Sequence, residues 1–292
     1  MDYYVKIFSS PRSNTLPDEY DAQVIDLSPC HNSLFSIFES RNRFRVNKML
    51  RKLKKSEIWI EYSGNLFANI YICYCLIWRK NKIFIDCHNS GIELTKGIRL
   101  RVLLSLFHLK ILQSFSSIKL VVHNSAIQKK VPGSIVVYTP YPKLPKVKKR
   151  CDINDVLFLC SLNPDEPLDL ILLLCKQLKE LGFVAKISGD PFKVSRDIYG
   201  EFLFDTYLSY EEYLSELYNT KLTISLTNRF NTLLYAPREA VALGVTCLVN
   251  DSSTNKDFYK ENVLYSPLDA DLLLKNALRF LMEEGFEPIS TL

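Results

Sequence analysis

The stretch "LYAPREAVALGVTCLVND", Leu234 to Asp251, combines a helix start, a helix stop and a buried strand. Pro237 suits the first position of a helix, where its missing N–H costs no hydrogen bond. Glu239 follows in the first turn, where the helix dipole favours a carboxylate. Gly244 is typical of the residue that ends a helix, and residues 246–249 (TCLV) predict a short buried strand. The stretch therefore predicts a short helix that runs directly into a strand.

A second strand precedes this helix, so the segment predicts a β-α-β unit. Residues 221–226 (KLTISL) have strand character, and the polar loop TNRFNTLLY follows at 227–235. Such a loop brings backbone N–H groups together at a helix start, which suits an anion. The alternative interpretation is an ordinary crossover with a capped helix that holds no ligand.

Length and composition favour an ordinary soluble protein with two medium domains or one large one. The chain has 292 residues, of which 47% are hydrophobic and 24% charged. The N-terminal residues YYVKIF predict a strand, so we expect no signal segment there. The apolar run LFANIYICYCLIW, 66–78, is too short for a membrane span and predicts a buried helix. The eight cysteines form no CxxC pair, which predicts reduced thiols in the cytoplasm. The four histidines lack metal-ligand spacing, so we expect no metal site.

The charge is divided unequally along the chain. Residues 1–150 contain 25 Lys and Arg against 10 Asp and Glu, a net charge of +15, whereas residues 151–292 contain 12 against 22, a net charge of −10. This asymmetry predicts two domains with different partners. Residues 41–55 (RNRFRVNKMLRKLKK) carry eight cations among apolar residues at helical spacing. They predict an amphipathic helix that docks on anionic lipid or a phosphate-bearing acceptor, with a solvated basic face or a nucleic-acid patch as alternatives.

Apolar strands alternate with helical segments throughout, which predicts parallel sheets covered on both faces. A further strand is predicted near Glu201 to Leu208, and Asp269 is predicted to cap the helix that follows it. The proline-rich and basic segment 139–153 (TPYPKLPKVKKRCDI) has the composition of a linker. We therefore predict an α/β protein of two Rossmann-like domains, 1–145 and 146–292, that face each other across a cleft.

Four stretches resemble, in the same order, segments of the nucleotide-sugar glycosyltransferases of the GT-B fold, especially glycosyltransferase family 4. They are FIDCHNSGIEL (84–94), KLVVHNSA (119–126), LCSLNPDEPLDLI with KISGDP (159–171 and 186–191), and SLTNRFNTLLYAPREAVALGVTCLVND (225–251). The resemblance runs from about Ile83 to Phe280. Its most specific motif is Glu-Ala-x-Ala-x-Gly, which begins at Glu239.

The resemblance implies an enzyme that moves a sugar from a nucleotide-diphosphate donor to an acceptor. Transfer would retain the anomeric configuration and use neither a bound metal nor a cofactor. The carboxyl-terminal domain would bind the donor and the amino-terminal domain the acceptor. A lipid-linked or glycan acceptor is expected, and no nucleic-acid partner is expected. The cysteines predict a cytoplasmic chain, and the basic segment 41–55 predicts a peripheral contact with an anionic membrane surface.

The same resemblance implies roles for individual residues. Glu239 would accept hydrogen bonds from the donor ribose, and His88 would be the catalytic residue that touches the donor sugar. Further donor-binding residues would stabilise the leaving diphosphate or line its site: Arg229, Asn231, Gly189, and the backbone amides near Leu233 and Leu234. Residues predicted on the acceptor and cleft side are Asn89, Asn124 and Arg12.

The sequence also departs from the family at three places. Asn231 stands where many members have a second glutamate, and the loop SLNPDEP, 161–167, lacks their Arg and Lys. Residues 9–15 (SSPRSNT) replace a glycine-rich loop. Arg229 or Arg238 would supply the missing phosphate-binding charge. The departures keep open a degenerate GT-B module that serves as a non-catalytic nucleotide-binding or scaffold protein, and a GT-B epimerase or phosphorylase.

Overall fold

The computed structural model describes residues 3–6, 23–26, 46–61, 66–87, 100–138, 141–147, 154–194, 196–229 and 233–282. The chain forms two compact units, Met1–Pro140 and Tyr141–Leu292. Tyr141, Leu144 and Val147 pack against apolar residues of the second unit, so this part of the proline-rich segment belongs to it. The predicted domain boundary, between 145 and 146, lies within this segment. The acceptor and donor roles of the two domains stay predictions.

The first unit contains a parallel sheet whose described strands follow the order β2-β1-β3-β4-β5-β6. The strands are β1 Tyr3–Lys6, β2 Gln23–Asp26, β3 Glu57–Glu61, β4 Lys82–Asp86, β5 Ile118–Val122 and β6 Ile135–Val136. The helices are α1 Leu66–Ile77, α2 Leu100–Gln113 and α3 Ser125–Lys130, and residues 46–50 are also helical.

Three helical segments lie on one face of this sheet. Residues 46–50, α1 and α2 precede β3, β4 and β5, respectively, and each of these crossovers moves along the sheet in the same direction. Right-handed crossovers that advance in one direction place their helices on the same face. The contacts agree, because α1 packs against α2 and the Nδ2 of Asn47 donates to the hydroxyl of Tyr71 in α1 at 2.8 Å.

The second unit contains a parallel sheet with the order β11-β10-β9-β7-β8. The strands are β7 Asn154–Phe158, β8 Ala185–Ile187, β9 Thr220–Ser225, β10 Thr246–Asn250 and β11 Leu264–Ser266. The helices are α4 Leu168–Glu180, α5 Arg196–Tyr199, α6 Tyr210–Tyr218, α7 Ala236–Ala242, α8 Ser253–Tyr259 and α9 Ala270–Met282.

Helices cover both faces of the second sheet, as the near-continuous apolar strands require. Side chains of α4 and α9 pack into one apolar core, and side chains of α6, α7 and α8 pack into another. The chain passes from β7 outward to β8 and then returns to β9 on the other side of β7. The direction of the crossovers therefore reverses between β7 and β9. The predicted fold class, two α/β domains with Rossmann-like sheets, is confirmed.

The opening stretch folds nearly as predicted. Helix α7 begins at Ala236, so Pro237 occupies the second helical position rather than the first. Gly244 has a positive φ of 74° and follows the C-cap residue Leu243. Its N–H donates to the carbonyl of Val241 at 3.0 Å, and the N–H of Val245 donates to that of Ala240 at 2.9 Å. This is the Schellman pattern, in which glycine tolerates the left-handed conformation.

Two other local predictions have opposite outcomes. The side chain of Asp269 accepts from the N–H of Leu272 at 3.0 Å, so its predicted role as the cap of α9 is confirmed. The predicted strand near Glu201 to Leu208 is wrong. Only Leu203 pairs there, in a single parallel bridge with Ile187 of β8.

The predicted membrane-facing stripe of residues 41–55 is wrong where the structure describes it. Val46, Leu50 and Leu53 are buried in the core of the first unit and cannot insert into lipid. The cations from Lys48 to Lys55 remain exposed. Residues 41–45 lie outside the described residues, so their electrostatic role stays a prediction. None of the helices in the described ranges is long and apolar enough to cross a membrane.

Candidate functional site

A cavity of about 930 Å³ opens at the carboxyl edge of the second sheet. Three walls come from the residues that follow the strands: Leu159–Ser161 after β7, Ser188–Asp190 after β8, and Leu226 and Thr227 after β9. The start of α6 and the first turn of α7 complete it. The cavity thus lies outside the carboxyl ends of parallel strands, where the crossover direction reverses. Open α/β sheets bind their ligands at this position.

The loop after β7 is organised by the carboxylate of Glu166. This carboxylate accepts from the backbone N–H of Ser161 at 2.9 Å and from that of Asn163 at 2.8 Å, and the hydroxyl of Ser161 donates to it as well. Leu162 between them has a positive φ of 58°. The loop in which family members carry Arg and Lys is therefore folded around an acidic side chain, which uses two of the loop amides itself.

Lys193 brings a cation to the cavity from another loop, the one after β8. Its Nζ lies 3.2 Å from the carbonyl oxygen of Ser161 and 3.4 Å from the Oδ1 of Asn163, and the residue lines the cavity. Lys193 was not predicted from the sequence. The only available signal was its place a few residues after Gly189, in a loop that parallel topology brings beside the loop after β7.

Gly189, predicted to bind the donor, lines the cavity and allows the loops after β7 and β8 to meet. A Cβ at this position would lie 2.6 Å from the carbonyl oxygen of Cys160 and 2.5 Å from the Cγ of Leu162. We expect Gly189→Ala to lower the free energy of unfolding by about 1–3 kcal/mol, the usual cost of overpacking. Denaturant unfolding measures this loss of stability. Gly182→Ala is not a suitable control, because Gly182 has a positive φ of 87° and a side chain would strain the backbone there. A change below 0.5 kcal/mol, within the range of roughly ±0.5 kcal/mol for surface substitutions, would contradict the close approach.

Glu239 stands half-buried in the first turn of α7 and faces the cavity. The hydroxyl of Tyr210 in α6 donates to its Oε1 at 3.0 Å, and Tyr213, one turn later, also hydrogen-bonds to it. Burial, reinforced by this carboxylate, raises the pKa of Tyr210 to about 12 and raises the pKa of Tyr213 well above its ordinary value. Both hydroxyls therefore remain donors near neutral pH. A carboxylate has about four acceptor sites, so Glu239 retains acceptor capacity for ligand hydroxyls.

Leu233 and Leu234 also line the cavity, in a segment that α8 fixes from behind. The N–H of Leu234 donates to the Oδ1 of buried Asn255 at 3.4 Å, and its carbonyl accepts from the hydroxyl of Tyr259. Asn255 in turn donates to the carbonyl of Asn250 at 3.1 Å. The contact of the Leu234 amide is long, and donation to a diphosphate would have to share or replace it.

The two arginines considered for phosphate binding lie in different surroundings. The Nε of Arg229 pairs with the Oδ2 of Asp165, a cavity residue, at 3.0 Å, so Arg229 lies beside the cavity as an ion pair. Arg238 is buried, with its guanidinium 5.3 Å from the centre of the Tyr235 ring. Asn231 lies outside the described residues.

Of the residues predicted on the acceptor side, the structure describes Asn124. Its side chain accepts from the N–H of Ile127 at 2.7 Å and so caps α3, and the residue is buried. This gives Asn124 a structural role at the carboxyl edge of the first sheet. His88, Asn89 and Arg12 lie outside the described residues, and their predicted roles are untested.

A buried histidine–aspartate pair that was not predicted from the sequence lies at the same edge. The Nε2 of His123 lies 2.7 Å from the Oδ1 of Asp86, and both side chains are almost completely buried. The Nδ1 of His123 lies 2.9 Å from the carbonyl oxygen of Val137. Both ring nitrogens thus lie within hydrogen-bond distance of an oxygen atom, so the side chain is held on both sides. The pair fastens the ends of β4 and β5 directly before His88 and Asn89.

Comparison with known proteins gives structural matches without sequence matches. No protein-family model and no curated protein sequence matches the chain. A glycosyltransferase from Rickettsia africae superposes with a TM-score of 0.62 at 10% identity, over 96% of this chain and 80% of that one. HepE from Anabaena, solved in complex with UDP and glucose, gives 0.64 at 13% identity, over 96% and 82%.

A third match shares only part of a longer protein. TarM from S. aureus, in complex with UDP among other ligands, gives a TM-score of 0.60 at 12% identity, over 82% of this chain and 51% of that one. At such low identity these matches concern the fold. They show that this chain has the fold of the GT-B glycosyltransferases, including those similar to glycosyltransferase family 4.

Proposed function

We propose that this chain is a glycosyltransferase that binds a nucleotide-diphosphate sugar in the cavity of the second unit. The observation that carries the proposal is the position of Glu239. Its carboxylate accepts hydrogen bonds from tyrosine hydroxyls and lines a cavity at the sheet edge where the direction of the crossovers reverses. The two hydroxyls of a ribose are donors that match such a carboxylate. HepE, which has the same fold, was solved with UDP and with UDP-glucose, and this supports a nucleotide-sugar ligand.

The diphosphate would lie between the loops after β7 and β8. Lys193 would supply an ammonium group there, and residues 233–236 also line the cavity, so their backbone N–H groups are candidate donors. A single lysine with backbone donors stabilises the charge that develops on a leaving diphosphate, as preorganised donors do elsewhere. Lys193 therefore replaces, from a different loop, the Arg and Lys that the loop 161–167 lacks.

The reaction would transfer the sugar with retention and without a metal. The bond between the anomeric carbon and the diphosphate oxygen breaks, and its electron pair stays on the diphosphate. The acceptor oxygen then attacks the same face of the sugar and loses its proton to the departing diphosphate. His88, which the family resemblance places against the donor sugar, would orient that sugar, and Asn89 and Arg12 would contact the acceptor.

Binding of nucleoside diphosphates tests the proposal directly. We expect UDP, ADP or GDP to raise the unfolding temperature of the full chain, because a ligand that binds only the folded state stabilises it. Lys193→Gln should weaken that binding roughly three- to tenfold, which corresponds to the loss of one exposed charge contact. Lys176→Gln, in the middle of α4 and outside the cavity lining, is the control and should leave the affinity unchanged. A chain that binds none of the diphosphates contradicts the proposal.

A non-catalytic nucleotide-binding or scaffold protein is the second candidate. It is favoured by Glu166, whose carboxylate occupies two loop amides close to where the diphosphate would lie. Incubation with UDP-glucose distinguishes the two. Release of UDP in the presence of acceptors supports a transferase, whereas tight UDP binding without turnover across a panel of donors and acceptors supports the second candidate.

A further inference from the structure

Helix α1 presents an apolar stripe to solvent. Ile70, Tyr74 and Trp78 follow one another at four-residue spacing and are all exposed, Trp78 to 74%. The rings of Tyr74 and Trp78 pack edge to face, with their centres 5.9 Å apart. The opposite side of α1 is in the core of the first unit, through Ile72, Cys73 and Leu76. The helix is therefore apolar on both sides, and the predicted burial holds for only one of them.

Helix α2 and the turn after it repeat this pattern. Leu103, Phe107, Ile111 and Phe115 are again spaced by four residues and exposed, Phe107 to 65%. The inner side of the helix is buried through Leu109 and Leu112. Four-residue spacing places these side chains along one side of the helix, one above the other.

The two stripes belong to one surface, which we call the α1–α2 face. Both helices lie on the same face of the first sheet and pack against each other, and each stripe lies opposite the buried side of its helix. Single exposed apolar side chains are common, but contiguous groups of this size mark an interaction surface for a protein or a membrane.

The charges around the α1–α2 face are positive. Neither helix contains an Asp or Glu, and no acidic residue occurs between Glu93 and Asp152. Lys80 and Lys110 are exposed next to the stripes. The exposed cations of residues 51–55 adjoin the end of α1, because the N–H of Lys55 donates to the carbonyl of Arg79 at 3.2 Å. The face is thus apolar and aromatic with a basic border.

We propose that the α1–α2 face docks on an anionic lipid bilayer. Trp and Tyr favour the headgroup level, and Phe, Leu and Ile reach the boundary of the acyl chains. Each lysine close to such a surface contributes about 1 kcal/mol. A second copy of this chain would instead bring two basic borders together, which charge repulsion opposes. The inference is independent of the proposed sugar transfer.

Vesicle binding by the full chain tests the inference. We expect co-sedimentation with vesicles of phosphatidylcholine and phosphatidylglycerol, weaker binding to phosphatidylcholine alone, and weakening by salt. Tryptophan emission should shift to shorter wavelength on binding, since Trp78 is exposed whereas Trp59, the other tryptophan, is half-buried and stacked on Phe84. The combined change Tyr74→Ser, Trp78→Ser and Phe107→Ser should lower the partition coefficient at least tenfold.

The controls separate this face from other exposed apolar groups. The combined change Leu181→Ser, Ile198→Ser and Met282→Ser removes three similarly exposed side chains of the second unit and should leave vesicle binding unchanged. Changing Lys52, Lys54 and Lys55 to Gln should reduce the binding and its salt dependence. Wild-type protein that stays in the supernatant, or equal binding to both vesicle types, overturns the proposal. So does a stable dimer in light scattering that the Tyr74, Trp78 and Phe107 changes convert to a monomer.

Discussion

Asp86→Asn is expected to lower the free energy of unfolding by about 3–5 kcal/mol, the usual cost of breaking a buried ion pair by removing one partner. The carboxylate lies 2.7 Å from the Nε2 of His123, and neither side chain has appreciable contact with solvent. An asparagine keeps the volume of the side chain but replaces the buried carboxylate, which hydrogen-bonds to the imidazole ring, with a neutral amide. Denaturant unfolding followed by circular dichroism measures the loss.

A surface ion pair of the same sheet provides the matched control. Glu57 on β3 accepts from Lys82 on β4 at 3.1 Å, and both side chains are exposed to solvent. Glu57→Gln should change the free energy of unfolding by less than about 1 kcal/mol, as is usual for exposed pairs. If Asp86→Asn has an effect as small as Glu57→Gln, the buried pair contributes no net stability and its role at the strand ends is wrong.

The position of this pair explains why the sequence did not reveal it. Asp86 and His123 are separated by 36 residues of chain, and their meeting depends on the register of β4 against β5, in which Asp86 lies opposite Val121. His123 follows two residues later, so its side chain leaves the strand on the same side as that of Val121. The segments 84–94 and 119–126 were both recognised as similar to the family, but the site residues predicted in them included His88 and Asn124 and not Asp86 or His123. Register is a tertiary property that apolar periodicity leaves open.

The strands were largely predictable because parallel strands buried on both faces are continuous apolar runs. Residues 201–208 are the exception, because the predicted strand does not form there. Phe202 and Leu203 are buried and Phe204 is half-buried, but residues 205–207 are exposed, so the buried apolar run is too short for a regular strand. Each side of this short segment is used for packing, and only one backbone bridge to β8 forms.

For the apolar run 66–78, the helix was predicted correctly but the side that faces solvent was not. Its residues are apolar on all sides of the helix, so the sequence contains no polar face that would identify the side toward solvent. The neighbouring sheet decides which side is buried, and the stripe of Ile70, Tyr74 and Trp78 is left exposed. Composition alone predicted full burial for this helix.

The cavity combines residues that the sequence could and could not assign. Glu239 and Gly189 were found because each belongs to a local motif. Lys193, Tyr210 and Glu166 reach the same cavity from three other segments, and each has an ordinary local role as a loop cation, a helix residue or a loop-capping carboxylate. The topology of the sheet brings these segments to one edge, and no spacing along the chain encodes it.

Glu239→Ala should weaken the binding of UDP, or of whichever nucleoside diphosphate binds, at least tenfold while leaving the fold intact. A hydrogen bond from a ribose hydroxyl to a charged acceptor contributes roughly 1.5–3 kcal/mol. The side chain is half-buried at the cavity wall rather than in the core, so its loss should cost little stability. Isothermal titration calorimetry measures the affinity, and thermal unfolding of the free protein checks the fold.

Two further variants distinguish a ribose contact from a structural one. Glu211→Ala removes an exposed carboxylate from the same end of α6, outside the cavity lining, and should leave the affinity unchanged. Tyr210→Phe removes the hydroxyl that donates to Glu239 at 3.0 Å but leaves the carboxylate in place, so it should weaken binding less than Glu239→Ala does. If Tyr210→Phe matches the loss caused by Glu239→Ala, the carboxylate acts by holding α6 against α7. Undiminished affinity in Glu239→Ala would remove the ribose contact altogether, and with it the main support for a nucleotide donor in this cavity.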